Sequence, residues 1–475
     1  MQRTDHALCV DLDGTLLRSD LLYESLLTLL ASNPLYVFLL PFWLLRGKAA
    51  LKREIASRVS LLVDHLPYDA RVLELLQTTQ QRPRVLCSAS DKGLADAIAA
   101  HLGVFDEVMA SDGRHNLAGH NKAEALNSRF GAGQYDYMGN AGVDIQVWKH
   151  AAGAYVVNAG AGLAAAAAGV TAVRAHWPAQ GGRLRTWIKA LRIYQWAKNL
   201  LILVPLLTAH RFFDLPSVLD AATAFVAFGL CASGVYLLND LLDLAADRQH
   251  ARKRKRPFAA GDLPLLHGLL ATPLLTVAGF SLALWTSPDF ALVLLVYYVM
   301  TLAYSFVLKR IAMIDVVMLA ALYTIRIIGG AVAINADPSF WLLAFSMFIF
   351  LSLALVKRYT ELASMANSGK QKVVGRGYDV SDLPLIQSLG AAAGYIGILV
   401  FAFYINSPDS LELYHNPRIL WLLCPVLLYW ISRVWIIAHR GEMHDDPIVF
   451  AARDRVSRIV ALISILIVAA ATITW

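Results

Sequence analysis

The chain has 475 residues, of which 57% are hydrophobic and only 16% charged, and its mean hydropathy is +0.52. Water alone does not solvate such a composition, so membrane spans are required. The 42 Lys and Arg against 35 Asp and Glu give a net charge of +7, but the basic residues gather beside apolar segments, where membrane topology accounts for them and no nucleic acid partner is implied. Cys9, Cys87, Cys231 and Cys424 form no CxxC pair and have no His at ligand spacing, which argues against a zinc site or disulfide framework and predicts buried, reduced thiols.

In chain order, MQRTDHALCV lacks the basic-then-apolar build of a secretory signal, so the first domain is expected on the cytoplasmic side. The residues ALCVDLDGTLL read as an apolar strand that ends in two acids, a Gly and a Thr. The following LLTLLASNPLYVFLLPFWLL, residues 26–45, is apolar enough to span, yet it holds Asn33, Pro34 and Pro41. It reads as helices of a cap domain in preference to a segment touching the bilayer surface, since a full span would put the two halves of the first domain on opposite sides of the membrane. A second strand, RVLCSAS, leads to Ser88, Lys122 opens a helix in NKAEAL, and a third strand, QYDYMGNAGVD, delivers Gly139, Asn140 and Asp144. Alternating strands and helices predict a parallel sheet, with ligands outside the carboxyl ends of its strands. Carboxylates, a hydroxyl and a lysine at one such edge make a Mg²⁺ and phosphate site by inventory.

This order resembles the haloacid dehalogenase (HAD) superfamily of phosphatases over roughly residues 6–176. The resemblance places the motif DxDGT on Asp11, Asp13, Gly14 and Thr15, the motif Ser on Ser88, the motif Lys on Lys122 and the acidic metal motif on Gly139, Asn140 and Asp144. It implies Asp11 as nucleophile and Asp13 as general acid and base through an aspartyl-phosphate. Thr15, Ser88 and Lys122 would bind the phosphoryl group, and Asp11, Asp13, Asn140 and Asp144 would hold the metal. Many relatives have Asp where this chain has Asn140, which removes one charge from that metal site. Residues from about 19 to 80 would form a helical cap, and the domain would run from 1 to 182.

From residue 183 to 475 apolar runs of spanning length recur, and at about 20 residues per span nine are expected, centred near residues 206, 229, 276, 299, 323, 348, 397, 428 and 466. With the N-terminus inside, the inner segments carry 23 Lys and Arg and the outer loops only Arg211 and Arg418. That asymmetry predicts a multi-pass protein of the inner membrane with Trp475 outside. After the second expected span, YLLNDLLDLAADRQHARKRKRPFAAG places Asn239, Asp243 and Asp247 at i, i+4 and i+8, near one helical face, with Asp240 beside them. Carboxylates at the mouth of a membrane helix are costly unless they hold cations, and Mg²⁺ carrying a diphosphate is the natural occupant. Arg248, Arg252, Lys253, Arg254, Lys255 and Arg256 follow. Positive-inside anchoring accounts for most of them, but not for acids and bases packed together at a helix mouth. Arg326 falls within the fifth expected span, where it either binds phosphate or pairs with Asp315 or another acid.

These segments resemble the UbiA superfamily of nine-helix membrane prenyltransferases, and within it the decaprenyl-phosphate phosphoribosyltransferase branch. The likeness rests on RIYQWAKN, NDLLDLAAD with KRKRPFAAG, YSFVLKR, YTIRIIGGA, KRYTEL and GEMHDDPIVFAARDRVS. It implies Asp243 and Asp247 as catalytic groups, Asn239, Asp240, Asp243 and Asp247 as Mg²⁺ ligands, and Lys198, Asn199, Arg254, Arg256, Tyr304, Lys309, Arg310, Arg326, Lys357 and Arg358 as contacts to substrate. Where aromatic prenyltransferases of the superfamily usually carry a second Asp-rich motif after the sixth span, this chain has Lys357, Arg358, Lys370, Lys372 and Arg376. A basic loop suits a bare phosphate group. The expected chemistry is transfer of 5-phosphoribose from phosphoribosyl diphosphate to a polyprenyl phosphate, followed by removal of the 5-phosphate by the HAD domain. The alternative is a prenyltransferase that uses an isoprenoid diphosphate, with an HAD domain of unrelated or regulatory role. The lipid bilayer is the expected environment, and the sequence leaves room for a homo-oligomer.

Overall fold

The computed structural model describes residues 6–112, 115–179, 183–367, 377–443 and 446–472. Lys370, Lys372, Arg376, His444, Asp445 and Trp475 lie outside the described residues. The chain divides into two compact units. One is Met1–Leu191 together with Tyr236–Thr272, and the other is Arg192–Val235 together with Pro273–Trp475.

The first unit is built on a six-stranded sheet of order β3-β2-β1-β4-β5-β6, with β1 Ala7–Val10, β2 Arg84–Asp91, β3 Glu107–Ser111, β4 Tyr135–Gly139, β5 Gly153–Val157 and β6 Val173–Trp177. All five strand pairings are parallel. Side chains alternate across a strand, and β1 sorts accordingly: Cys9 packs with Cys87, Ala123, Leu126, Tyr137 and Val156 on one face, while Leu8 and Val10 pack with Val72, Leu76, Leu86, Ala95 and Ile98 on the other. Both faces of the sheet are therefore covered, which is why β1 reads as an unbroken apolar run.

Between β1 and β2 the chain forms only helices and tight turns: α1 Leu21–Ser32, a 3₁₀ turn Pro34–Phe38, α2 Leu40–Leu45, α3 Lys48–Ala56 and α4 Ala70–Thr78. Asp20 caps α1, accepting from the backbone N–H groups of Leu22 and Tyr23. Of residues 34–45 only Trp43 is buried. Helices thus fill much of the stretch where the sequence expects a cap, but residues 34–45 do not sit in a core.

Among the described residues eight helices are long and apolar enough to cross a membrane: Leu215–Leu242, Leu265–Thr286, Pro288–Phe306, Ile314–Ala333, Phe340–Asn367, Val380–Ile405, Pro417–His439 and Arg455–Thr472. They match eight of the nine expected spans, and the chain is a multi-pass membrane protein. The ninth, centred near 206, is instead a 3₁₀ run Ile193–Leu203 followed by the short helix Val204–Thr208. Pro205 removes a backbone donor there, and the same segment buries two polar side chains, Lys198 and Asn199. Close backbone approach fixes this run against the helix Ile314–Ala333, since a Cβ at Gly330 would lie 2.0 Å from the Ile202 carbonyl oxygen. The four cysteines are free and buried, as their spacing predicts.

Candidate functional site

In the first unit, β1 ends on Asp11, whose Oδ1 accepts from Lys122 Nζ at 2.6 Å. Lys122 enters from the helix His120–Phe130 and also donates to Tyr137 Oη at 2.9 Å. Burial pushes the Asp11 carboxyl up to about 7, with Lys122 pulling it the other way. Burial also disfavours the Lys122 charge, but Asp11 outweighs it and keeps the amine protonated. Asp13 accepts from the Leu21 N–H at 2.8 Å and from Ser90 Oγ at 2.7 Å. The buried Ser88 Oγ accepts from the Ser90 N–H at 2.9 Å. Thr15 Oγ1 donates to Asn140 Oδ1 at 3.3 Å, and both oxygens of Asp144 are engaged, by Tyr137 Oη on one side and by the N–H groups of Asn140 and Ala141 on the other.

Asp11, Asp13, Thr15, Ser88, Lys122, Asn140 and Asp144 are thus drawn into one hydrogen-bonded neighbourhood at the carboxyl edge of β1, β2 and β4. Gly14 is required in it: its φ is +75°, and a Cβ there would lie 2.0 Å from Asn140 Nδ2. A carboxylate held by a buried ammonium can attack a phosphorus centre, and a second carboxyl group two residues on, in its protonated form, can give its proton to the leaving oxygen. The oxygens of Asp11, Asp13 and Asn140 are the donors that suit a hard cation here, with Asp144 shaping the loop that carries Asn140.

The carboxylate-rich segment Tyr236–Thr272 belongs to the same unit. The helix Leu215–Leu242 breaks at Asp243 and resumes as Leu244–Gln249. The bonds from the Asp243 N–H to Asn239 O and from the Asp247 N–H to Asp243 O carry the helical register across the break, so the spacing read from the sequence survives it. Arg256 donates to Asp240 Oδ1 at 3.0 Å and to Asp247 Oδ2 at 2.7 Å. Asp247 Oδ1 is buried without a hydrogen-bond partner, and burial, opposed by Arg256, raises the Asp247 carboxyl above its ordinary range. Arg254 is exposed.

Among the described residues no group of three or more His, Cys, Asp or Glu side chains is gathered tightly enough to hold a metal by itself. That arrangement suits Mg²⁺, which is commonly held by one or two carboxylates with substrate phosphates completing its shell. The open Oδ1 of Asp247 is the acceptor such an ion would use.

The second unit holds a separate polar cluster. Lys198 and Lys357 both donate to Asp446 Oδ2, at 3.1 and 2.9 Å. Burial pushes the Asp446 carboxyl up, but the two lysines outweigh it and hold it well below the usual carboxylate range. Arg326, 4% exposed, donates to Asn199 Oδ1 at 3.1 Å, to Tyr297 Oη at 2.9 Å and to the Leu322 carbonyl. The Lys198 ammonium and the Arg326 guanidinium both lie 5.7 Å from the ring centre of Tyr323. Among the described residues two lysines share one acid and the hydrogen-bond partners of Arg326 are neutral, an excess of positive charge that can receive an anion.

Arg358 has a different setting. It bonds Asp315, Glu361 and Tyr304, and Tyr378 Oη donates to the other oxygen of Asp315. Asp315 is therefore the partner of Arg358 and not of Arg326, and the guanidinium of Arg358 is spent within the protein together with Tyr304. Lys309 is half-buried and Arg310 exposed, in the turn Leu308–Arg310.

The model of the UbiA prenyltransferase family matches residues 200–454. The uncharacterized protein y4nM of Sinorhizobium fredii is 39% identical over 456 residues, 95% of this chain and 88% of its own length. The chain belongs to the UbiA prenyltransferase family. Nodulation protein NoeC of Azorhizobium caulinodans is 34% identical over 57% of this chain and 87% of that protein. The decaprenyl-phosphate phosphoribosyltransferase of Mycolicibacterium smegmatis is 33% identical over 58% of this chain and 88% of that protein.

In this UbiA-family transferase several site residues had no local signature. Ser90, Tyr137 and Asp446 earn their places through partners far away in sequence. All three lie inside segments that the sequence singles out, RVLCSAS, QYDYMGNAGVD and GEMHDDPIVF, but nothing local marks them within those segments. A further case is Glu24 of α1, which accepts from Arg248 NH1 at 2.9 Å and NH2 at 2.6 Å. Arg248 also donates to the Ala259 carbonyl at 3.0 Å, and Ser19 Oγ donates to Glu24. The pair is 2% and 9% exposed. Arg18 adds a second bridge, to Asp262 at 2.8 Å. Arg248 adjoins Asp247, so the α1 carboxylate helps to fix the helix end that carries the Asp motif.

Truncating Glu24 to Ala leaves a buried guanidinium without its counter-charge, at an expected cost of about 3–5 kcal/mol. The purified protein should show a lowered apparent melting temperature, and adding Arg248→Met should restore most of the loss by removing the orphaned charge. A Glu24→Ala protein as stable as wild type would show that water or another group replaces the carboxylate.

Proposed function

We propose that the membrane part of this chain transfers 5-phosphoribose from phosphoribosyl diphosphate to a polyprenyl phosphate, and that the N-terminal domain then removes the 5-phosphate to leave polyprenyl-phosphate ribose. The observation that carries the reading is the polar cluster in which Lys198 and the partly buried Lys357 share Asp446 while the buried Arg326 meets neutral partners, in a chain 33% identical over 58% of its length to a decaprenyl-phosphate phosphoribosyltransferase. Buried cations without matching acids are costly unless an anion completes them. Phosphate groups are the anions this family member would meet on both of its substrates.

In the transfer step a lipid phosphate oxygen forms a bond to the anomeric carbon as the bond from that carbon to the diphosphate breaks. Lys198, Lys357 and Arg326 orient phosphate groups by charge-assisted hydrogen bonds. Asp240, Asp243 and Asp247, with Asn239, are the residues that would hold Mg²⁺, and Arg256 keeps two of these carboxylates in place. Bound Mg²⁺ supplies neutralisation of the charge that develops on the departing diphosphate.

In the hydrolytic step Asp11 attacks the 5-phosphate, Asp13 gives its proton to the leaving ribosyl oxygen, and water then releases inorganic phosphate from the aspartyl-phosphate as Asp13 takes a proton back. Lys122 offsets charge on the phosphoryl oxygens. Thr15 and Ser88 supply hydroxyls beside the site, and the Leu21 N–H and Ser90 hold the Asp13 carboxyl in position.

With purified protein, Asp11→Asn should stop phosphate release and leave ribosyl transfer running, so that phosphoribosyl lipid accumulates. Dephosphorylated lipid formed at the wild-type rate would remove the N-terminal domain from the pathway.

Offered phosphoribosyl diphosphate or an isoprenoid diphosphate in turn, wild-type protein should deplete the first and leave the second. Asp247→Ala should stop that depletion even in excess Mg²⁺, while hydrolysis of a soluble phosphate ester by the N-terminal domain survives. Consumption of the isoprenoid diphosphate alone would replace this reading with that of a prenyl donor enzyme.

A further inference from the structure

The first unit carries an apolar surface that its own fold leaves uncovered. Between α1 and α3 the turn Pro34–Phe38 and the helix Leu40–Leu45 expose Leu35 (67%), Phe38 (70%), Phe42 (65%) and Leu45 (86%), with Val37, Leu39 and Leu44 also exposed. The hairpin is anchored by Trp43, which packs with Leu29 and Ile55, and by the partly buried Tyr36 and Leu40 beside it. Soluble surfaces rarely gather so many large apolar side chains in one run.

Charge marks the edges of the run. No Asp or Glu occurs from Ser25 to Arg53, whereas Arg46, Lys48 and Arg53 follow the apolar residues directly and are exposed. The one nearby acid, Glu54, is bonded by Arg46 and by Arg58, and the Arg58 guanidinium stacks 4.8 Å over the Trp43 ring. An apolar face bordered by more cations than acids, with aromatic residues at its base, has the build of a segment that lies in a lipid interface. Pro34 and Pro41 keep it from forming a continuous spanning helix.

We propose that residues 34–45 insert into the surface of the bilayer in which the chain is embedded, and so present the cleft of Asp11 and Asp13 to a phosphate carried on a lipid. The elements on either side of the hairpin reach that cleft. At the start of α1 the Leu21 N–H bonds Asp13, and α3 supplies Lys52, whose Nζ donates to the Ala89 carbonyl at 2.6 Å, beside Ser88 and Ser90. Insertion of the hairpin therefore sets where the cap stands over its substrate. The delivery of a lipid phosphate rests on the phosphatase reading above, but the insertion does not.

The test uses the full chain in vesicles of zwitterionic and anionic phospholipid. Phe38→Cys and Leu45→Cys are labelled with an environment-sensitive fluorophore, with Lys149→Cys as an exposed control on the same unit; the native cysteines are buried. Nitroxide on the acyl chains should quench both hairpin labels strongly and the control hardly at all. Equal quenching at all three positions, or a blue shift that depends on protein density and not on the nitroxide lipid, would overturn the proposal, the latter by identifying a second copy as the occupant. In parallel, Phe38→Asp with Leu45→Asp should slow hydrolysis of a lipid-linked phosphate by about tenfold and leave hydrolysis of p-nitrophenyl phosphate unchanged. If wild type hydrolyses neither ester, the phosphatase reading falls while the quenching data still decide the insertion.

Discussion

Charge taken out of water has to be answered, and in this chain the answers organise everything else. Six buried or half-buried carboxylates, among others, are matched by cations: Asp11 by Lys122, Glu24 by Arg248, Asp240 and Asp247 by Arg256, Asp315 by Arg358, and Asp446 by Lys198 and Lys357. Such pairs cost desolvation and return it only with good geometry, so each fixes the elements that bear its members. Arg256 sets the spacing of two acids of the Asp motif. Arg248 fixes the end of the same helix from the other side through the cap helix α1.

The places where matching is incomplete are equally informative. Asp247 keeps one buried oxygen without a partner, and Arg326 is satisfied by an amide, a phenol and a backbone carbonyl. By contrast Arg358, which the sequence groups with Lys357 as a phosphate contact, already bonds two acids and Tyr304. Adjacent basic residues on one helix therefore have different settings, and only the three-dimensional partners distinguish them.

Local sequence was enough where chemistry and fold share a short segment. The strand leading to Asp11 and Asp13 and the hydroxyl and lysine that follow each belong to one short segment, and Asn239, Asp243 and Asp247 keep one helical register across the break at Asp243, so composition and period expose them. Eight spans were legible because twenty apolar residues in a row have few other uses. The segment near residue 206 looked the same by hydropathy, but its buried Lys198 and Asn199 and its Pro205 turn it into a tighter coil. The pairing of Glu24 with Arg248 crosses 224 positions, and no local pattern announces it. For residues 34–45 the sequence favours cap helices over a segment touching the bilayer surface, and the fold leaves all of them but Trp43 unburied.

The central claim is that one chain first adds a phosphorylated sugar to a lipid phosphate and then removes the sugar's phosphate. The most direct measurement is time-resolved mass spectrometry of lipid products after purified wild-type protein is supplied with Mg²⁺, phosphoribosyl diphosphate and a polyprenyl phosphate. The account predicts phosphoribosyl lipid first and ribosyl lipid after it, with inorganic phosphate rising in step with the second. A polyprenyl phosphate recovered unchanged, while the protein transfers prenyl groups from an isoprenoid diphosphate, would contradict it.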